Sequence, residues 1–220
     1  MAAGIIFDVD GTLVDSVDQH AESWRRVLQE YGHDVPFADV RAQIGKGGDE
    51  LMKVFLSPEE IEAKGEEIEE RRGKLFKEEF LPQVKAFPGV RELFDHLIAR
   101  GHRVALGSSG KEDEVAHHKK LCRIEDLDLV QTTSEDAEKS KPHPDIFQAA
   151  LKKLGVGPDE AVAVGDTPYD ASAARKAGMK AVGVLCGGFP ADSLREAGCV
   201  ALYEGPTDLL AKYDGSPLDR

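Results

Sequence analysis

Short apolar runs that end abruptly in acid, serine or glycine recur along this chain. The first, Gly4-Ile5-Ile6-Phe7-Asp8-Val9, reads as a buried strand with polar groups at its carboxyl end. Similar runs predict strands over 102–107, 127–132, 161–165, 180–185 and 199–202. Between them, apolar positions recur every three to four residues and predict helices over 90–100, 111–121, 144–154, 169–177 and 206–213. Strands alternating with helices imply a parallel sheet with right-handed crossovers. The expected fold is α/β, a Rossmann-like doubly wound sheet whose ligands bind beyond the carboxyl ends of the strands.

From about residue 16 to 85 the alternation stops and only helical periodicity remains. Val17, Ala21, Trp24, Leu28 and Tyr31 mark one face of an amphipathic helix ending near Gly32. Leu51, Val54 and Phe55 suggest a second helix. Ser57-Pro58-Glu59-Glu60 gives a third a capping serine, an early proline and favourably placed glutamates, and that helix runs to about Phe80 with Gly65 and Gly73 as weak points. The expected division is an α/β core of residues 1–15 and 87–220 and an all-helical cap at 16–86, placed above the active end of the sheet as a lid is. The final residues, 215–220, read as a loose tail.

Composition narrows the partners. The 220 residues are 41% hydrophobic and 31% charged, as in a soluble globular protein, and the net charge of −13 opposes binding to nucleic acid or an anionic membrane. No apolar run has the roughly 18 residues of a membrane helix, and the first residues lack the basic stretch and cleavage site of a signal peptide. Cys122, Cys186 and Cys199 fit neither a disulfide framework nor zinc-ligand spacing, and read as buried thiols in a reducing cytoplasm.

The candidate chemistry lies at the strand ends. Asp8-Val9-Asp10-Gly11-Thr12 places two carboxylates where they can converge on one point. A calcium hand would need glycine at its sixth position and glutamate at its twelfth, where this chain has Leu13 and Gln19. Gly165-Asp166-Thr167-Pro168-Tyr169-Asp170 supplies two more acids beyond a later strand. Helix capping accounts for one such site, but four carboxylates at one sheet edge repel each other unless a hard divalent cation gathers them. Ser108, with free amides at a helix start, offers an anion site, although serines also cap helices routinely. Lys141, in Ser140-Lys141-Pro142-His143-Pro144, sits in a loop stiffened by prolines; taken alone it is an ordinary surface lysine.

In this order and spacing, the four motifs resemble those of the haloacid dehalogenase superfamily over nearly the whole chain, and the helical insert resembles that family's helical cap. The resemblance implies that Asp8 attacks phosphorus and forms an aspartyl-phosphate, while Asp10 protonates the leaving alcohol and later deprotonates water. It implies a Mg2+ cofactor on Asp8, the Asp10 backbone carbonyl and Asp166, with Asp170 a ligand or acting through water. Phosphoryl oxygens would be held by Ser108 and Lys141, with Gly11 and Ser109 beside them. Asp10 separates this chain from the dehalogenases, whose halide leaving group needs no proton, and the phosphonate-cleaving branch is disfavoured likewise.

In the cap, the stretch from Asp15 to Trp24 resembles the sugar-phosphate branch, which includes β-phosphoglucomutase. His20 either faces the site near Asp10 or lies on the surface of a first helical turn, and Trp24 reads as cap core. Lys46 and Gly47, in the glycine-rich loop Ile44-Gly45-Lys46-Gly47-Gly48, either select substrate or form an interhelical turn. Gly48 and Asp49 occupy the place where the mutase carries an arginine. Arg72, beside Arg71, either points to substrate or joins a solvated charged face.

The resulting expectation is a cytoplasmic Mg2+-dependent phosphatase, monomer or dimer, acting on a small phosphorylated metabolite such as a sugar phosphate or phosphoglycolate. A phosphosugar mutase is the alternative. A response-regulator receiver is opposed by the helical insert and by the order of the first two acids. A silent binding protein on this fold is opposed by the presence of all the core residues.

Overall fold

The structure, a computed structural model, describes residues 2–219; Met1 and Arg220, the two ends of the expected leaderless start and loose tail, lie outside it. β1 (Gly4–Phe7) is central in a parallel sheet that also contains β4 (Arg103–Gly107), β5 (Val130–Thr132), β6 (Ala161–Gly165), β7 (Lys180–Val184) and β8 (Cys199–Tyr203). Their order is β5-β4-β1-β6-β7-β8. The chain therefore builds outward from β1 through β4 to β5, then crosses back to lay β6 against the other side of β1. That reversal opens a crevice at the carboxyl end of β1, the place where such sheets bind ligands.

Side chains alternate across the sheet, and the two faces differ in size. Ile5, Phe7, Val104, Leu106, Val162 and Val164 enter one apolar cluster, with Leu93, Phe94 and Leu97 of α5 (Val90–Ala99) and Leu209 of α10 (Pro206–Ala211). Ile6, Ala105, Ala161 and Ala163 enter the other, against α7 (Asp145–Leu154) and α8 (Pro168–Lys176). The small alanines on this face let α7 and α8 approach closely, and Phe147 and Ile146 fill the space they leave. α6 (Glu112–Leu121) and α9 (Ala191–Ala197) complete the crossovers.

Between the two short strands β2 (Val14–Asp15) and β3 (Lys85–Ala86), which pair antiparallel, lie α1 (Val17–Glu30), α2 (Phe37–Arg41), α3 (Gly48–Phe55) and α4 (Pro58–Leu75). Trp24, Val27, Leu28, Leu51 and Ile68 form their apolar interior, which is continuous with the larger sheet cluster. Ser57 caps α4 with a full capping box through Glu60. The helix runs unbroken through Gly65, which is buried against Ile61, and through Gly73 in its last turn. Its irregularity comes later, as a π-helical turn over Phe76–Phe80.

Several expectations need correction. The pairing of β2 with β3, only two residues each, and the short helices α2 and α9 carry too few residues to show a period. Of the three apolar residues that suggest α3, Leu51 is buried while Val54 is exposed. The described part of the tail is docked: Leu218 is fully buried, and its carbonyl accepts from Ala2 N at 3.4 Å. Of the three cysteines only Cys122 is buried, while Cys186 and Cys199 are half-buried. Among the described residues, no helix is long and apolar enough to cross a membrane.

Candidate active site

β1 delivers Asp8 to the crevice, where it is 7% exposed. The chain then turns sharply: Gly11 adopts φ +80° and its amide donates to Val14 O at 2.8 Å. A side chain at Gly11 would collide with the Asp166 carboxylate and Val17, so the turn needs glycine for space as well as for conformation. β6 delivers Asp166, which is completely buried. Thr12 Oγ1 lies 3.1 Å from Asp166 Oδ1 and 3.3 Å from Asp8 Oδ2, joining the two strand ends.

Asp170 belongs to the first turn of α8. Its Oδ2 accepts from Thr167 N at 3.0 Å and Thr167 Oγ1 at 2.6 Å, while Asp170 N donates to Thr167 Oγ1 at 3.1 Å. The capping role anticipated for an acid here is real. It leaves Oδ1 free to face the crevice, where it lies 2.8 Å from Lys141 Nζ. Lys141 is fully buried, donates to Gly107 O at 3.0 Å and forms an ion pair with Asp8. The loop that carries it thus places a full positive charge behind the nucleophile candidate rather than in solvent.

Asp8, Asp166 and Asp170 offer carboxylate oxygens that all lie within 4.8 Å of one another. Burial pushes the Asp8 carboxyl up to about 7, Lys141 opposes that rise, and Asp170 and Asp10 add to it. Burial likewise raises Asp166, with Asp170 and Asp8 reinforcing the shift. For Lys141 burial works against the charge, but Asp170 and Asp8 outweigh it and hold the ammonium above its ordinary range. Asp166 Oδ2 is buried with no hydrogen-bond partner. Three hard oxygen donors, one of them unsatisfied, fit magnesium by their chemistry.

Asp10 turns its side chain away from this trio. Its Oδ1 accepts from Ser16 Oγ at 2.7 Å and from His20 Nε2 at 2.9 Å, and His118 Nδ1 lies 3.9 Å away. The tautomer of His20 follows from its other neighbour: Arg72 Nη2 abuts Nδ1 and can only donate, so Nε2 carries the hydrogen. Burial would raise Asp10, but the two imidazoles and the Ser16 hydroxyl overcome it and hold the carboxyl well below the usual range. His20 is therefore a buried partner of Asp10, not a surface residue, and it stacks on Phe76 of the π-helical turn at 4.1 Å and 8°.

The crevice opens into a cleft of about 780 Å³, part of it open to solvent. Asp8 and Asp10 form its floor, and Ser109 and Gly110 form one side. Ser108 lies behind the wall, with Oγ accepting from Gly110 N at 3.0 Å. The inserted helices supply the roof through Lys46, Gly47, Trp24 and Arg72. Lys46 reaches Gln43 Oε1 at 2.6 Å and lies over the Tyr169 ring. Arg72 is not on a solvated face: it lies over Trp24 and Phe76, while Arg71 pairs with Glu30 outside. Trp24 is at once interior and cleft wall.

Three residues of this region escape a reading of the sequence. Glu114 of α6 is buried against the cleft, His118 one turn on is buried behind Asp10, and Glu69 of α4 stands at the cleft edge. Neither ring nitrogen of His118 has a hydrogen-bond partner. Two of the three buried residues of α6 are polar, so the apolar periodicity that reveals buried faces elsewhere is weak here.

Comparison with known proteins agrees with this architecture. The model of the haloacid dehalogenase-like hydrolase family matches residues 5–184, and the chain belongs to that family. It is 28% identical over 207 residues to a phosphorylated carbohydrates phosphatase of Thermotoga maritima, covering 94% of this chain and 95% of that one. It is also 28% identical over 217 residues to a phosphoglycolate phosphatase of Nitrosospira multiformis, with 94% and 95% covered. Among solved structures, a hydrolase from Pseudomonas syringae superposes with a TM-score of 0.88 at 31% identity, covering 96% of this chain and 98% of that one.

Proposed function

We propose that this haloacid dehalogenase-like hydrolase is a magnesium-dependent phosphatase of small phosphomonoesters, working through a phosphorylated Asp8. The observation that carries the reading is Asp8 itself: a carboxylate at the end of the central strand, paired with buried Lys141 and open to the cleft beside Asp10. Its in-line attack on phosphorus splits one hard displacement into two easier ones. Lys141 offsets the charge of Asp8 so that a phosphate dianion can approach, and with Ser108, Ser109 and the Gly11 turn it cradles the phosphoryl oxygens.

Asp10 acts twice. As the structure stands it is ionised, the state that takes a proton from water in the second half-reaction. A bound phosphate dianion beside it raises its proton affinity, which lets it carry a proton to the leaving oxygen in the first. Magnesium on Asp8, Asp166 and the Asp10 carbonyl, with Asp170 direct or through water, would supply charge neutralisation at the phosphoryl group. The helices over 16–86 serve as a cap that excludes bulk water and presents His20, Lys46, Gly47 and Arg72 to the leaving group. The net charge of −13 suits a cytoplasmic enzyme of small metabolites, monomer or dimer, without nucleic acid or membrane partners.

Phosphate release with magnesium across small phosphomonoesters tests the reading. Asp8→Asn is expected to reduce release by roughly a thousandfold or more, and EDTA to stop it until magnesium is returned. Asp10→Asn is expected to lower kcat by about a hundredfold or more while sparing magnesium affinity. Full activity in chelator, or appreciable turnover by Asp8→Asn, sinks the mechanism. Conversion of β-glucose 1-phosphate to its 6-isomer without phosphate release would replace it with the mutase reading.

A further inference from the structure

The phosphatase reading leaves one buried charge unused. Glu114 is 4% exposed and lines the cleft, and although its amide donates to Asp113 Oδ1, its carboxylate makes no hydrogen bond or ion pair with any described residue. A glutamate at the third position of a helix is commonly a partner for the helix dipole. Here Glu112 and Asp113 already serve the first turn of α6 from solvent, so that role does not explain burying a third acid. An unpaired carboxylate is costly to bury unless something else satisfies it.

Its position says what that something touches. A side-chain carbon at Gly110 would lie 3.2 Å from Ser108 Oγ, 3.5 Å from Glu114 Oε2 and 4.0 Å from Asp10 Oδ2. Glycine leaves that point open, so Glu114 faces the same small volume as the group that serves the leaving oxygen. The Arg72 guanidinium is its electrostatic neighbour: burial lowers Arg72 and Glu114 opposes the shift. Arg72 lines the same cleft, and its buried Nε has no hydrogen-bond partner. The roof and wall thus present a donor and an acceptor whose charges cancel.

We infer that Glu114 selects the leaving group, with Arg72, for a neutral polyhydroxylated phosphomonoester such as a sugar or polyol phosphate, and against esters carrying a second anion. Hydroxyl groups both donate and accept: they donate to Glu114 and accept from Arg72, satisfying both. A carboxylate or second phosphate finds Arg72 already balanced and Glu114 repelling it, discrimination by an unfavourable element rather than by fit. This inference deepens the phosphatase reading and rests on it for the location of the phosphoryl end.

The test is binding, measured apart from turnover. In Asp8→Asn protein with magnesium, dissociation constants are measured by calorimetry for glycerol 3-phosphate, glucose 6-phosphate and phosphoglycolate, with and without Glu114→Gln. Phosphoglycolate is expected to bind more weakly than the better of the two hydroxylated esters, and Glu114→Gln to shift that ratio about tenfold toward phosphoglycolate. Glu114→Ala repeats the measurement should the glutamine variant fold poorly, with the same shift expected. An unchanged ratio, or parallel weakening of all three ligands, overturns the inference. Phosphate release by the protein with Asp8 intact is followed alongside. Release with an unchanged ratio defeats the selection by Glu114 alone; a shifted ratio with no release from any ester defeats the phosphatase reading alone.

Discussion

Among the described residues Lys141 is the one positive charge paired with Asp8, Asp166 and Asp170, and it touches two of them. Removing one partner of a buried ion pair costs more than the pair itself contributes, because the partner's desolvated charge is left uncompensated. Lys141→Met keeps the volume and deletes the charge. In chelator it is expected to lose about 3–5 kcal/mol of stability, read as a lower melting temperature, and magnesium is expected to recover part of the loss by replacing the missing charge. An unchanged melting temperature in chelator would show that the carboxylates had simply taken up protons. At this scale the sequence is legible where chemistry needs several residue types together: Asp8, Lys141, Asp166 and Asp170 meet at one crevice, with Asp10 beside them and Ser108 behind its wall. Arg72 was not settled by its neighbours in sequence, since Arg71 beside it does pair in solvent. Only the packing of Trp24 and Phe76 decides which arginine turns inward.

Among elements, the contact between the glycine-rich loop and the sheet edge decides how the inserted helices sit. Gly45 has φ +105°, and a side-chain carbon there would lie 2.6 Å from Thr167 Cγ2, on the turn that positions Asp170. Gly45→Ala therefore combines backbone strain with a collision across the roof of the cleft. Its expected effect is a severalfold rise in KM with a loss of about 1–2 kcal/mol in stability, whereas Gly32→Ala, with open space around it, shows the strain alone. Equal KM values for the two variants would mean that the loop does not bear on substrate. The sheet strands were legible because each is an apolar run closed by chemistry-bearing residues. α6 was legible as a helix but not as a cleft wall: Glu114 and His118 are polar residues on a buried face, and a polar face in a sequence reads as solvent. The π-helical turn at Phe76–Phe80 has no local signature, since Phe76 leaves the α-helical register where it packs beneath His20.

Across the whole molecule, the two described ends are fastened together at the amino ends of the strands, opposite the crevice. Leu218 is fully buried in the larger apolar cluster, so Leu218→Ala is expected to cost about 2–4 kcal/mol while leaving KM unchanged; a tail that was loose would lose nothing. A second fastening is polar. His102 Nδ1 lies 2.6 Å from Ala2 O and Nε2 2.6 Å from Tyr213 OH, with His96 packed edge-on against the same tyrosine ring and Arg100 over it. The carbonyl can only accept, so Nδ1 carries the hydrogen and Nε2 accepts from the tyrosine, which makes the neutral imidazole the form that fits. Burial lowers His102 below its ordinary value of 6.5, and the Ala2 carbonyl only partly opposes this. In the unfolded chain the imidazole takes a proton at its ordinary value, while in the folded protein it resists until lower pH. The stability it contributes is therefore present above pH 6.5 and is lost as pH falls through the depressed folded value. Melting temperature is accordingly expected to fall on acidification from about pH 7 to 5, and His102→Gln, which cannot take the proton, to show a shallower slope. Asp8 in the crevice, pushed up to about 7, titrates over part of the same range, so the comparison is made with magnesium present in both proteins. Parallel slopes would assign the acid sensitivity to groups other than this junction, His118 among them, whose imidazole burial lowers as well.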